Sequence, residues 1–331
     1  MKNPDNKVTG MGNALMDILV RIDSDSLLQL LDLPKGSMTL VEKEKAGRIL
    51  DHVRALLKSY TPGGSAANTI RGIAALGHPA AYIGSVGNDE LGEMFRNSMA
   101  EEKVDTHLVR GTQPTGYAIG FISPDSERTF ATYLGAATEL APGHLDPKMF
   151  TGTRIFHIEG YLIIARELIL KALQMAKTAG AEISYDMASY NVVEENRDFI
   201  RTLLDEYVDI VFANEEEARA FTGKEPAAAI DELADYCRIA VVKTGASGSL
   251  VRMENETYLI RPVPVKSLDT TGAGDMYAAG FLYGYVNGML PEQCGKIGSL
   301  LGGKVIEVIG TRLPETTWKE IFKQIQLIRE D

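Results

Sequence analysis

The sequence predicts an α/β chain: a mostly parallel central sheet with helices on both faces, carrying a second, small sheet. Three observations lead there. From about residue 150 onward, short apolar runs alternate with stretches of helical period, the pattern of repeated βαβ units. Before that, strands of alternating apolar and polar residues occur in two separate pieces, near 17–41 and 105–134, and read as excursions that build a half-exposed sheet. A chain of 331 residues, 45% hydrophobic and 24% charged, suits one large globular unit, so 1–331 is read as a single domain without repeat or linker.

Residues 7–12 form a first strand that ends in glycine, and 17–22 and 36–41 alternate as half-exposed strands do. Residues 43–57 and 66–76 have helical spacing; 80–86 is a strand and 90–101 a helix. Residues 116–123 and 128–134 pair as a hairpin around Pro124-Asp125-Ser126-Glu127, whose side chains favour a turn. Strands at 154–158, 182–186, 209–213 and 239–243 then alternate with helices at 166–179, 194–206, 215–221 and 227–236, and 274–326 is mostly helical. The small sheet is expected to serve as a lid over a site at the C-terminal edge of the parallel strands.

Charge narrows the partners. A net charge of −11 and a pI of about 5.1 argue against nucleic acid and anionic membranes as partners. Any phosphate site must be made locally, from backbone N–H groups, a few Lys or Arg side chains and a divalent cation. Cys237 and Cys294 form no C-x-x-C and the five histidines no H-E-x-x-H, so neither zinc nor a disulfide framework is expected. The first residues lack the apolar core of a signal peptide and no run of 18 apolar residues exists, which predicts a cytoplasmic protein.

The richest segment is Asp269-Thr270-Thr271-Gly272-Ala273-Gly274-Asp275, followed by an apolar helix. Such a loop turns several N–H groups to one point at a helix N-terminus and makes an anion site. Asp275 beside it is either a helix cap or the base that accepts a proton from a hydroxyl attacking phosphorus. The helix N-terminus should favour its ionised form. Asn214 and Glu217 stand after a parallel strand, either as cation-organising oxygens or, for Glu217, as part of an acidic first helical turn. Lys243, Gly245 and Gly248 form a glycine-rich turn after the next strand, facing the crevice or merely turning the chain. Gly64, Ser65 and Asn68 open a helix; Ser65 reads as its N-cap, and polar groups at such a turn can hold sugar hydroxyls. Asn13 and Asp17 follow the first strand and can accept from vicinal hydroxyls; Leu15 breaks G-x-G-x-x-G, so no dinucleotide fingerprint is present. Gly298 to Lys304 fits G-x-x-x-x-G-K, but Val305 lacks the P-loop hydroxyl and the preceding residues look helical.

Together these motifs resemble the PfkB (ribokinase-like) kinases: D-T-x-G-A-G-D at 269–275, N-x-x-E at 214–217, the turn at 243–248, G-G-x-x-x-N at 63–68, and an N-terminal signature at Val86-Gly87-Asn88-Asp89-Glu90-Leu91-Gly92. The resemblance runs from about residue 7 to 326. It implies a three-layer α/β/α ribokinase-like domain with a β-sheet lid, and transfer of the ATP γ-phosphoryl group to an alcohol. It further implies Asp275 as base, with Gly272, Ala273 and Gly274 as the anion loop and Arg128 of the lid neutralising phosphate charge. Mg²⁺ is organised through water by Glu217 with Asn214. Asp269 and Thr271 either bind a monovalent cation such as K⁺ or cap a turn. Lys243, Gly245, Gly248 and Thr271 border ATP, and Gly303 lies by its adenine.

For the acceptor, the opening at Asn13 and Asp17 and the strip 212–218 are similar to the adenosine-kinase branch, where Asp17 would bind ribose hydroxyls. Tyr161 and Tyr190 fall where that branch stacks aromatic residues on the purine, although tyrosine replaces phenylalanine and both tyrosines also suit lid or core packing. Ala66-Ala67 resembles sugar kinases instead, and Lys243 stands where other members carry a hydroxyl residue. A nucleoside, a sugar such as fructose, ribose or a 2-keto sugar, and a non-catalytic binding role all stay open, as do a monomer and a homodimer paired through the lid.

Overall fold

The computed structural model describes residues 6–53, 60–125 and 127–330. Strand β1 (Lys7–Met11) starts the large sheet, and β2 (Leu15–Arg21), β3 (Met38–Leu40) and β4 (Tyr60–Gly63) belong to the small one. The chain returns to the large sheet for β5 (Ala80–Val86) and β6 (Asp105–Arg110), then completes the small sheet with β7 (Thr115–Ile122) and β8 (Arg128–Gly135). β9 (Thr153–Glu159), β10 (Glu182–Asp186), β11 (Ile210–Asn214), β12 (Ile239–Lys243), β13 (Ser249–Met253) and β14 (Glu256–Ile260) all lie in the large sheet. Its order is β14-β13-β12-β11-β10-β9-β1-β5-β6, parallel from β12 to β6 with an antiparallel hairpin at one edge. The small sheet has the order β3-β8-β7-β2-β4.

The helices are α1 (Ser26–Leu30), α2 (Lys43–Val53), α3 (Ser65–Ala75), α4 (Glu90–Glu101), α5 (Arg166–Thr178), α6 (Tyr190–Glu206), α7 (Glu215–Thr222), α8 (Pro226–Tyr236), α9 (Ala273–Val286), α10 (Pro291–Val305) and α11 (Glu315–Glu330). Among the described residues none is long and apolar enough to cross a membrane. Alternate residues of each central strand feed opposite faces, as the period of two requires. Ile210, Phe212 and Val241 join a core with α3, α9 and α10, whereas Val211, Ala213 and Val242 join one with α5 to α8. This is the three-layer arrangement. A third cluster, with Ile18, Val20, Ile119 and Phe121, holds α1 and α2 on the small sheet. Each fully buried side chain of this size contributes about 1.5–3 kcal/mol relative to exposure.

Three expectations change. Residues 105–110 form an edge strand of the large sheet and no part of the small one, and none of them is fully buried. The second excursion is therefore β7 and β8 alone. The first excursion is longer than 17–41, because β4 joins the small sheet as an edge strand, where Pro62 is tolerated although it reads as a turn. The hairpin β13–β14 and short α1 were not anticipated, and α6 begins at Tyr190 with a kink at Asn196. Residues 54–57 of the expected second helix, and Ser126 of the hairpin turn, lie outside the described residues.

Helix α9 is buried on nearly all sides, so it packs by close backbone approach. A Cβ on Gly280 would lie 2.6 Å from the Ile297 carbonyl oxygen of α10, and one on Gly72 of α3 would lie 2.7 Å from Ala279. Small residues on both contacts bring the start of α9 against the start of α3, which assembles the site.

Candidate active site

Four neighbouring parallel strands end in polar residues: Glu159 on β9, Asp186 on β10, Asn214 on β11 and Lys243 on β12, with Asn13 just after β1. All five line one cavity of about 1550 Å³ between the two sheets. The carboxyl ends of parallel strands are where such folds bind ligands. One small ligand needs roughly 300–1,000 Å³, so this space suits two bound side by side.

The anion loop lies on its floor. Gly272 caps α9 at φ 72°, a left-handed conformation that glycine adopts without strain, and a Cβ there would stand 2.5 Å from Cγ2 of Thr311. The Ala273 N–H donates to the Thr270 carbonyl at 3.3 Å, while those of Gly274 and Asp275 have no acceptor among the described residues. Two open N–H groups at a helix N-terminus form an anion cradle. Asp275 is held from α3: Ser65 Oγ donates to Oδ1 at 2.8 Å and Asn68 Nδ2 to Oδ2 at 2.9 Å. Thr311 Oγ1 donates to Asn68 Oδ1 at 3.1 Å and so fixes which end of the amide faces Asp275. Burial lifts the Asp275 carboxyl to about 6, against the pull of the Asn68 and Ser65 hydrogen bonds. The expected preference for a strongly ionised form is thus outweighed by desolvation. Ser65 is also not the N-cap of α3; Gly64 is, at φ 95°, and the serine hydroxyl serves Asp275.

Asn214 and Glu217 form a reciprocal cap on α7. Glu217 accepts from Asn214 N at 2.7 Å and from its Nδ2 at 2.6 Å, and its own N–H donates to Asn214 Oδ1 at 2.8 Å. Burial raises the Glu217 carboxyl to about 7, Asp186 adding to the rise and Lys243 opposing it. Lys243 Nζ donates to Asp186 Oδ2 at 3.1 Å. Burial works against its charge, but Asp186 and Glu217 outweigh it and hold the ammonium above its ordinary range.

On the lid side, Asp17 of β2 is buried and faces the cavity with no hydrogen-bond partner among the described residues. Burial, then repulsion from Asp275, pushes its carboxyl up to about 7. Arg128, at the start of β8, forms an ion pair through Nε with Asp269 Oδ1, and its Nη1 and Nη2 have no hydrogen-bond partner among the described residues. Asp269 also accepts from the N–H groups of Thr271 at 2.8 Å and Gly310 at 2.6 Å. With a guanidinium and two amides on its carboxylate, Asp269 does not present the open oxygens expected of a monovalent-cation ligand.

The remaining expected residues divide. Gly64, Tyr161, Gly245, Gly248, Thr271, Ala273, Gly274 and Gly303 line the cavity. Tyr190 does not: it begins α6 and is 51% exposed, so the expected sandwich with Tyr161 is absent. Tyr161 donates its hydroxyl to the Ala188 carbonyl at 3.1 Å. Three residues went unnoticed in the sequence. Glu159 accepts from Asn13 N at 2.9 Å, Asn13 Nδ2 at 2.8 Å and Ala66 N at 2.8 Å. Asp186 and Glu159 end parallel strands, a signal that was available; Thr311 follows a loop and offered none.

An anion cradle, a buried carboxylate of near-neutral pKa and a polar patch across one cleft are the requirements of a small-molecule kinase. Residues 49–318 match the pfkB family carbohydrate kinases, and the chain belongs to that family. Among solved structures, a probable sugar kinase from Rhizobium etli is 34% identical, covering 97% of this chain and 98% of its own, with a TM-score of 0.89. An adenosine kinase from Sinorhizobium meliloti is 35% identical, covering 97% and 99%, with a TM-score of 0.88. The adenosine kinase of Schizophyllum commune is 28% identical over 95% of this chain and 98% of its own. The protein is an ATP-dependent kinase that phosphorylates a nucleoside or sugar hydroxyl.

Proposed function

We propose that the acceptor is adenosine or a close purine nucleoside, with Asp275 as the base. The observation that carries the nucleoside reading is an apolar wall beside the polar acceptor patch. Leu15, Met38 and Phe130 of the small sheet and Ile163 and Ile164 of the main domain line the same cavity, and Leu40 and Ile164 are 55% and 68% exposed. A purine covers such a wall with a larger flat apolar face than the small C–H patch of a free sugar. Asp17, unpartnered beside it, would accept from the two vicinal ribose hydroxyls and leave the primary hydroxyl toward Asp275. The names of the relatives, adenosine kinase and probable sugar kinase, support both acceptor classes.

In the reaction the acceptor oxygen forms a bond to the γ-phosphorus as the bond from that phosphorus to the β,γ-bridging oxygen breaks. The acceptor proton passes to Asp275. The amides of Gly274 and Asp275 meet the migrating oxygens, and Arg128 presents its free Nη groups to the same charge. ATP would lie along Thr271, Gly245 and Gly248, with its base beside Gly303 and Val263, which touch each other on the cavity wall. Magnesium, when bound, neutralises phosphate charge. Among the described residues no three His, Cys, Asp or Glu side chains could hold a metal, and both Glu217 oxygens are engaged. Asn214 and Glu217 would therefore meet the water shell of an ion carried in by the phosphates.

An acceptor panel tests the reading. With ADP release as readout, adenosine should exceed inosine, ribose, fructose and a 2-keto sugar in kcat/KM by roughly tenfold or more, the size of one or two stacking contacts. Ribose or fructose outrunning adenosine would move the protein to the sugar kinases.

A further inference from the structure

We propose that Lys243 is a catalytic residue that holds the γ-phosphoryl group of ATP as it crosses to the acceptor, with Asp186 as its positioning residue. The inference rests on the kinase activity and concerns a contact with the phosphoryl group itself, not with the nucleotide as a whole.

The ammonium is held by Asp186 and Glu217, and it stands at the same time against the positive end of a helix. A Cβ built on Gly274 would lie 3.0 Å from Lys243 Nζ, so the charge sits against the second residue of α9. The helix macrodipole is positive at this end and opposes a cation there. The Gly274 and Asp275 N–H groups, without acceptors among the described residues, add partial positive charge at the same place. Like charges gathered at one point are stabilised when an anion binds between them.

The mounting is rigid. Lys243 ends β12, which pairs with β11 on one side and β13 on the other, and its side chain is 15% exposed. Asp186 draws the ammonium in at 3.1 Å and is itself fixed by the Ala188 N–H, which donates to its other oxygen at 3.0 Å. Arg128, the other cationic side chain lining the cavity, stands on the small sheet and is paired with Asp269. Lys243 is thus the preorganised charge on the main-domain side. During transfer, charge spreads over the three equatorial oxygens of the loose phosphoryl group. Lys243 keeps its protons throughout and only donates hydrogen bonds, and these strengthen as that charge develops.

Binding of a transition-state mimic tests this apart from turnover. The dissociation constant of ADP is measured calorimetrically with Mg²⁺ and adenosine, with and without aluminium fluoride, which occupies the place of the phosphoryl group. In the wild type, aluminium fluoride should tighten ADP by about 10²-fold or more. Lys243→Met should leave ADP alone within about threefold, remove at least about tenfold of the tightening, and lower kcat by about 10²–10³-fold. Lys243→Arg should recover part of both losses and Asp186→Asn should lie between. Lys243→Gln, which keeps a donor opposite Asp186, guards against a folding defect. Undiminished tightening in Lys243→Met and Lys243→Gln would overturn the proposal and leave the kinase reading intact. Equal weakening of ADP with and without the fluoride would make Lys243 an ordinary nucleotide contact and also overturn it. No tightening in the wild type would overturn the proposal together with adenosine as the acceptor, while the family assignment stands on its own.

Discussion

Around Asp275 the polar groups are already in contact: Ser65 and Asn68 hold its two oxygens, and Thr311 holds Asn68. Around Asp17, on the other side of the same cavity, a buried carboxyl has no hydrogen-bond partner among the described residues, and the apolar groups of the lid stand open. The first region is finished before any ligand arrives; the second is completed by one. Electrostatic catalysis needs the former arrangement, since donors and base must not reorganise during transfer. Recognition of an acceptor tolerates the latter, because the ligand supplies the missing hydrogen bonds and apolar surface.

Substitutions on the two sides should therefore differ in kind. Asp275→Asn should have the largest effect, lowering kcat by about 10²–10⁴-fold while ATP still binds, as loss of a positioned base does; single-turnover and ATP-binding measurements together check it. The wild-type kcat should fall on the acid side with an apparent pKa near the value of about 6 of Asp275. Asp17→Ala should raise the acceptor KM roughly ten- to a hundredfold, from the 1–3 kcal/mol of an unmet buried polar group, and leave the ATP KM unchanged. A selective rise in the ATP KM would put Asp17 on the finished side. Tyr161→Leu should reduce kcat/KM for the nucleoside by about two- to tenfold, whereas Tyr190→Ala, at an exposed position, should change it for no acceptor; damage from Tyr190→Ala alone would reverse the two.

The smallest effect concerns stability. Burial raises the carboxyls of Asp17, Glu159 and Glu217 to about 7. Between their ordinary values and pH 7 the folded protein binds more protons than the unfolded chain, so stability falls as pH rises through that window. The unliganded protein should melt at a higher temperature at pH 6 than at pH 8, and Asp17→Asn should flatten the difference. A Tm that rises with pH would show that these carboxylates are stabilised as anions, as if the acceptor region too were finished.

The same division governs what the sequence revealed. The loop at 272–275 and the pair Asn214 and Glu217 are each contiguous, so residue type and spacing marked both segments, although the reciprocal cap that Asn214 and Glu217 form went unread. Asn68 and Thr311 are separated by 243 positions, and no local pattern announces their bond. Arg128 was recognised as a lid cation, but its pairing with Asp269 joins the small sheet to the loop before α9, and Asp269 was read instead as an ion site. Tyr190 failed for a smaller reason: α6 begins four residues earlier than its periodicity suggests, which turns the ring to solvent. Strand β4 was missed because Tyr-Thr-Pro-Gly is turn chemistry, and only its place at a sheet edge makes it a strand.

The two roots of the small sheet have a mechanical consequence. At the first, Glu159 grips both the departing chain at Asn13 and the returning chain at Ala66. At the second, Asp89 takes the N–H of Thr115 at 2.8 Å and its hydroxyl at 2.5 Å, and the Ala136 N–H closes on the Pro114 carbonyl at 2.8 Å. A stiff plate fastened at two points keeps one rotation, about the line through its fastenings. Leu15, Gly63, Thr115 and Gly135 lie along that line, while Ile122 and Arg128 pair at the opposite end of the strands. At about 3.4 Å per residue, β8 gives Arg128 a lever arm of about 24 Å, so a turn of about 10° carries its guanidinium by about 4 Å. That travel exceeds the reach of an ion pair, and the contact between Arg128 and Asp269 acts as a gauge of the angle at which the small sheet stands.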